Sequence, residues 1–383
     1  METDTKIYLK KKFKEYYWRN DVPAPRDIRK REVGVGTLED KIKFRHKSFK
    51  TEKEFRQYLK TEAPYYISYS IAYYEYPENQ PMTAKNWTGA DLVFDLDREI
   101  QWLNNSDLEA VKREAVSLIG FLTGDFGISE DEVRLNFSGS KGYHIHVFND
   151  GLRTLGSDER REIIDYVTGT GLDLDCFIRE AESPAGITYR RGKPKLSGGS
   201  WIGPGRGGKG WPARIYSTTK SLLESDKDVL RKNYGLSPQA ASKIVKNRDA
   251  NLEFLENGKW DAVFGVKSSL KKRVVEEFSV KDIEDADRMV TFDTTRLIRI
   301  PDTLHGSTGL KAAVVGDVDS FNPLVDAVVF GESEVPVIAR ADVGEFEMMG
   351  KVFGPYADGE RVSPPEYAAV YLMLKGKADV TRA

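Results

Sequence analysis

Gly89-Ala90-Asp91-Leu92-Val93-Phe94-Asp95-Leu96-Asp97 is a short apolar run broken by carboxylates at alternate positions. Side chains two apart on a β-strand point to the same face. Asp91, Val93, Asp95 and Asp97 therefore share one face, while Leu92, Phe94 and Leu96 fill the other. The apolar face is the one to bury, which pins the register and sets Asp95 and Asp97 side by side at the C-terminal end. Two carboxylates this close repel each other and require a cation. Hard oxygen ligands at this spacing suit Mg²⁺ or Mn²⁺, the usual handlers of nucleotide phosphates. A strand that merely runs into an Asp-rich turn has the same pattern, so the rest of the chain must decide.

With 383 residues the chain can bury a large core in two or three structural units. Lys and Arg number 58 against 60 Asp and Glu, a formal charge of -2. That excludes a bulk cationic field, so contact with nucleic acid must come from a local patch. No apolar run approaches the roughly 18 residues of a membrane span, and the polar start Met1-Glu2-Thr3-Asp4 is not a signal peptide. A cytoplasmic protein without a membrane partner is expected. The single cysteine, Cys176, forms no internal disulfide, and the four histidines (His46, His144, His146, His305) make a Cys/His zinc site an unfavoured reading.

Upstream of the carboxylate run, Thr5 to Asn20 carries Phe13, Tyr16, Tyr17 and Trp18 among basic residues and predicts an amphipathic helix stopped before Pro23. Arg31-Glu32-Val33-Gly34-Val35-Gly36 and Lys43-Phe44-Arg45-His46-Lys47-Ser48-Phe49 predict a hairpin. Lys43, Arg45 and Lys47 fall on one side of its second strand, as a solvated face or as a contact to phosphate or template. A helix around Thr51 to Leu59 leads to the aromatic block Pro64 to Pro77, which fits a core strand.

Downstream, Ser106-Asp107-Leu108-Glu109 is a capping signature opening a helix to about Thr123. A strand over Glu132 to Phe137 enters Ser138-Gly139-Ser140-Lys141-Gly142-Tyr143-His144-Ile145-His146-Val147. The two glycines around Ser140-Lys141 make a tight turn whose N–H groups are open to an anion, with the Lys141 ammonium alongside. His144 and His146 share a face of the next strand, completing a corner suited to a triphosphate. A plain hairpin and a His-x-His zinc pair are the alternatives. Ser157 to Val167 predicts a helix, and Asp173-Leu174-Asp175 is a second Asp-x-Asp that no apolar strand precedes. Tyr189 to Ile215 is rich in glycine and basic residues without Walker or dinucleotide spacing, and reads as a linker or a basic loop near nucleic acid. Residues 219–285 read as a helical insertion. Met289-Val290-Thr291-Phe292-Asp293 predicts an apolar strand ending in a carboxylate, followed by Arg296, Arg299 and His305 before a glycine turn. These supply a third metal ligand and cations for phosphate oxygens, or an exposed edge with ordinary ion pairs. Pro364 to Leu374 predicts a terminal helix packed on the sheet.

Together these stretches resemble the archaeal and eukaryotic DNA primase small (catalytic) subunit, of the archaeo-eukaryotic primase superfamily. The similarity rests on Arg31-Glu32-Val33-Gly34-Val35, Arg45-His46-Lys47-Ser48-Phe49, Lys85-x-Trp87-x-Gly89-Ala90-Asp91, Asp95-x-Asp97, Ser138-Gly139-x-x-Gly142-x-His144, the Arg296-to-Leu310 stretch and Glu366-Tyr367-Ala368-Ala369, in that order over nearly the whole chain. The resemblance implies catalytic metals on Asp95, Asp97 and Asp293. It implies phosphate binding by Ser138, His144, Arg299 and His305, with Lys141 as helper. Relatives often place a zinc knob after the acidic pair, but Arg98 to Val116 holds neither cysteine nor histidine, so no zinc is expected. Ser140 stands where some relatives have an arginine. The resemblance also implies a large subunit bearing an iron–sulfur cluster, which needs several cysteines and so has no place in this chain.

The expected fold is α/β, an α+β mixed-sheet catalytic core from residues 1–155 and 286–383, with residues 156–285 as a mainly helical insertion. The expected function is synthesis of short primers on single-stranded DNA from nucleoside triphosphates, by nucleotidyl transfer with two Mg²⁺ or Mn²⁺ ions, together with primer extension. The alternatives are a repair-type primase-polymerase that extends existing ends, a non-catalytic nucleic-acid-binding module, and a zinc hydrolase built on His144 and His146.

Overall fold

The alternation that marks residues 92–97 as a strand has its structural counterpart. In the computed structural model, which describes residues 1–181, 187–190, 193–196, 200–261, 267–280 and 291–381, the chain begins with α1 (Thr3–Arg19), β1 (Val33–Gly36), β2 (Phe44–Lys47), α2 (Glu52–Glu62), β3 (Tyr66–Ser70), β4 (Ala72–Tyr74) and β5 (Trp87–Ala90). The carboxylate strand β6 (Leu92–Asp97), α3 (Asn105–Gly124), β7 (Val133–Phe137), β8 (Gly142–Val147) and α4 (Ser157–Thr168) follow. Helices α5 (Gly210–Glu224), α6 (Lys227–Tyr234), α7 (Pro238–Lys246), α8 (Arg248–Glu256) and α9 (Lys267–Phe278) precede β9 (Leu297–Arg299), β10 (Val337–Ala339), β11 (Arg361–Val362), α10 (Glu366–Leu374) and β12 (Ala378–Val380). This is a mixed α and β protein with antiparallel sheets and a helical region, as the pattern predicted.

The chain divides into two units: Met1–Ile119, Ile128–Ile164 and Lys281–Ala383 form one, Gly120–Gly127 and Asp165–Val280 the other. The second unit is mainly helical. Ile215, Leu222 and Leu223 of α5 are buried with Leu230, Leu255 and Val274, and Asp125 pairs with Arg214 at 2.6 Å. In the glycine-rich stretch, Ile187–Arg190 and Lys193–Leu196 pair as antiparallel strands rather than forming a plain linker, and residues 191, 192 and 197–199 lie outside the described ones.

The first unit holds two antiparallel sheets that matter for the site, one in the order β9-β3-β1-β2 and one in the order β6-β8-β7. The aromatic block is not one strand: it breaks at Ile71, β3 joining the four-stranded sheet and β4 pairing with β5. Beside this break Arg31 is fully buried, donating to Ser70 O at 3.0 Å and Ile71 O at 2.7 Å. Its Nη2 meets Asp91 Oδ2 at 2.5 Å, and Tyr73 Oη donates to Asp91 Oδ1 at 2.7 Å. Asp91 thus ends in a buried ion pair where β5 passes into β6. The two ends of the chain also meet, since Asp379 Oδ1 accepts from Glu2 N and Thr5 Oγ1, both at 2.8 Å.

Three expectations need correcting. The one-sided basic strand fails because β2 carries an extra residue (Val33 opposite Lys47, Val35 opposite Phe44) and His46 takes φ 64. Alternation is lost there, so Arg45 turns to Glu32 (Nε to Oε1, 2.8 Å) while Lys47 lies over the Tyr58 ring at 4.8 Å. The cap of α3 is Asn104 rather than Ser106: its Oδ1 accepts from Asp107 N at 2.9 Å. The strand expected at Met289–Asp293 is absent where it can be seen, because Thr291 and Phe292 are helical and the strand comes later, at β9; residues 289 and 290 lie outside the described ones.

Candidate active site

Strand β6 pairs with β8 so that Asp95 stands opposite His144 and Asp97 opposite Gly142. Opposed residues of an antiparallel pair share a face, which puts the carboxylates and the His144 ring on one surface. Gly142 has a steric reason to be glycine. A Cβ there would overlap Leu96 O and Asp97 Oδ1. Gly142→Ala should therefore cost at least about 2 kcal/mol by overpacking against backbone, seen as a lower urea midpoint, and should displace Asp97.

The turn between β7 and β8 is closed from within. Ser138 N donates to Gly142 O at 2.9 Å, and Ser138 Oγ accepts from Gly142 N at 3.2 Å. Gly139 adopts φ 83, and a Cβ there would come within 2.9 Å of His305 Cβ. The turn is thereby packed onto the His305 loop. His305 Nδ1 accepts from Ser307 N at 3.2 Å, which leaves the proton of its neutral ring on Nε2. Strand β9 brings Arg299 opposite Ser68 of β3, its guanidinium 5.3 Å from the Tyr66 ring centroid.

These elements enclose a cleft of about 890 Å³ whose lining includes Asp95, Asp97, Asp293, Ser138, Lys141, His144, Arg299 and His305. All eight candidate residues come together in it. Lys41, Arg45, Ser68, Arg296, Ser307 and Lys375 line it as well. Of these, Ser68 carries a faint sequence signal, since Ser68 and Ser70 interrupt the aromatic block at strand period. Lys41, in the β1–β2 turn, and Lys375, just beyond α10, carry none. His146 does not line the cleft: it is buried, stacked with Tyr69 and with Phe148, its Nδ1 3.3 Å from Tyr69 Oη. A zinc pair with His144 finds no support in that packing. Asp173, of the second Asp-x-Asp, caps a turn by accepting from Asp175 N at 3.0 Å.

Burial governs the electrostatics. Desolvation pushes the Asp95 carboxyl up to about 6, against the pull of Arg296, Lys141 and Arg299. Desolvation, then the Asp95 charge, pushes Asp97 up to about 6 as well. His144 is pressed down to about 4 and His305 well below its ordinary value, both mainly by desolvation. Both rings are therefore neutral at neutral pH. His144 Nε2, 3.3 Å from Asp95 Oδ1, accordingly forms no ion pair there.

Asp95 Oδ1 and Asp97 Oδ1 are buried and have no hydrogen-bond donor. Buried carboxylate oxygens without donors are costly, and a hard divalent cation is the ligand such a pair accepts best. The donor set at Asp95 and Asp97 fits a metal on that ground. Asp293 is in the cleft but engaged elsewhere, its Oδ1 accepting from Thr295 N at 2.9 Å and Thr295 Oγ1 at 2.7 Å. Among the described residues no three Asp, Glu, His or Cys side chains converge on one metal position.

A family model described as DNA primase small subunit matches residues 94–317, the span from β6 past the His305 loop. The chain is 36% identical over 411 residues to the DNA primase small subunit PriS of Methanothrix thermoacetophila, covering 99% of this chain and 100% of that protein. It is 35% identical to the protein of the same name from Methanosarcina acetivorans, covering 99% and 97%, and 36% identical to that of Archaeoglobus fulgidus, covering 98% of each. With this agreement over its full length, the chain belongs to the DNA primase small subunit family.

Proposed function

We propose that the cleft carries out template-directed nucleotidyl transfer, making this chain the catalytic subunit that synthesises short primers on single-stranded DNA from nucleoside triphosphates and extends them. The observation behind the reading is the pair of buried, donor-less carboxylate oxygens on Asp95 and Asp97 facing cations in one cleft. Asp95 and Asp97, with Asp293 as third ligand, would hold Mg²⁺ or Mn²⁺. When bound, such ions activate an attacking hydroxyl and neutralise the leaving pyrophosphate.

The chain's own groups would do the positioning. Lys141 and Arg299 offset charge spread over the phosphate oxygens. Arg299 Nη1 is buried without a hydrogen-bond partner, so an acceptor is owed to it. His305 would offer its Nε2–H and neutral His144 a hydrogen bond instead of a charge. Ser138 would hold the turn, tying the N–H groups of Ser140 and Gly142 to its own hydroxyl, so that Lys141 stays in place. The name of the relatives, a small subunit, supports a large-subunit partner. Among the described residues no helix is long and apolar enough to cross a membrane.

The test is de novo synthesis on single-stranded DNA with labelled nucleotides and Mg²⁺ or Mn²⁺, with and without the large subunit. Short oligomers starting from free nucleotides support the reading; extension of supplied primers alone moves the chain to the end-extending class. Lys141→Ala is expected to raise KM for the nucleotide about tenfold, the loss of one charge-assisted bond, with kcat changed less. Steady-state kinetics on a primed template measure both.

A further inference from the structure

Helix α1 buries Leu9, Phe13, Tyr16 and Tyr17, but its other side is uncovered. Ile7 is 62% and Trp18 67% exposed, and Phe44 of β2 is 57% exposed. These three large apolar side chains line one groove of about 1010 Å³ bordered by α1, the β1–β2 turn and α2, with Val35, Pro64 and Tyr65 also in its wall. Ile7 and Trp18 lie roughly 16 Å apart along the axis at 1.5 Å per residue, the length of about three helical turns.

The rim is basic. Lys6, Lys10, Lys11, Lys14 and Arg19 line it against Glu15, Glu39 and Glu62. Glu39 is already paired with Lys6 at 3.0 Å and Glu15 with Lys12 at 3.2 Å. On a chain of formal charge -2, this is a local excess of positive charge around an apolar floor. Patches of exposed apolar surface rimmed by polar groups mark interaction sites.

We propose that this groove docks an acidic amphipathic helix of a partner protein, its apolar anchors over Ile7, Trp18 and Phe44 and its carboxylates against the lysines of α1. The helix-in-groove mode matches the length and the apolar floor. Single-stranded nucleic acid fits less well: Trp18 and Phe44 could each stack a base, but the aliphatic Ile7, Val35 and Pro64 that share their floor suit leucine-type anchors better. A second copy of the chain fits less well too, since a two-fold interface would set one basic rim against another. The proposal stands on the groove alone and does not depend on the chemistry of the cleft.

The probe is a fluorescent designed three-turn helical peptide with leucines on one face and glutamates flanking them, titrated by anisotropy against the full chain. Tight binding that weakens with salt is expected. Trp18→Ala and Ile7→Asp should each weaken it at least about tenfold, as for interface anchors, and Lys14→Glu several-fold. Both apolar positions are exposed, so thermal melts should be unchanged, and synthesis activity should be retained. The proposal is overturned if Trp18→Ala leaves peptide binding intact or if a lysine-flanked peptide binds equally well. It is also overturned if Trp18→Ala abolishes oligo(dT) binding instead, or if light scattering shows a dimer that Ile7→Asp dissociates.

Discussion

Asp95→Asn should abolish nucleotide incorporation, by at least about 10³-fold, while making the metal-free protein more stable. On the proposed metal site, the first effect follows from losing a ligand to ions that would contribute several kcal/mol at the transferring phosphate, at 1.36 kcal/mol per tenfold. The second follows from desolvation. Burial raises the Asp95 and Asp97 carboxyls to about 6, whereas in the unfolded chain they ionise near 3.9. The folded state therefore holds more protons between these values, so its stability is full at acid pH and falls as pH rises through about 6. Replacing one carboxylate removes that penalty. Melting of metal-free protein at pH 7.5 should rise by about 2–4 °C for each kcal/mol relieved, with little change at pH 4. Added Mg²⁺ should raise the melting temperature of the native chain and not of the variant. A variant that melts lower than the native chain at pH 7.5 would sink the account of a strained carboxylate pair.

Asp91→Ala is the largest structural effect expected. It leaves the fully buried Arg31 guanidinium without its carboxylate, and breaking a buried pair on one side costs about 3–5 kcal/mol. Urea denaturation should show that loss, and the soluble yield should fall with it. The double variant Arg31→Met with Asp91→Leu should recover part of the stability, because the uncompensated charge is gone. The recovery stays partial, since the Arg31 bonds to Ser70 O and Ile71 O go too. If the double variant is no better than Asp91→Ala, the charge is not what the site defends.

The contrast between Asp91 and Asp95 shows how far the sequence could be read. Alternation placed both on one face, and it correctly set Asp95 and Asp97 at a strand end because Leu92, Phe94 and Leu96 leave only one way to bury that strand. It could not tell a carboxylate oxygen left without a donor from one already satisfied, because the satisfying group, Arg31, lies far away in sequence. The Ser138–Gly142 turn was legible for a similar local reason: its glycines and short spacing fix a hairpin. The split of the aromatic block at Ile71 was not, since uniform composition does not mark where a strand changes sheets. Nor was the kink at His46, a non-glycine residue at positive φ. Thr291 and Phe292 look like strand by residue type yet are helical, and the cations Lys41 and Lys375 reach the cleft from places with no local pattern.

The meeting of the chain ends at Asp379, Glu2 and Thr5 bears on the order of events during synthesis. Helix α1 is made long before β12, the strand whose Asp379 holds its first turn. At about 5–20 residues per second, the ribosome needs roughly 20–70 s to travel from Arg19 to Ala378. Throughout that interval the first turn of α1 lacks its Asp379 partner, whereas Phe13 meets Tyr65 early and Tyr16 and Tyr17 wait for Asp302 and Leu304, so the helix is locked in stages rather than at once.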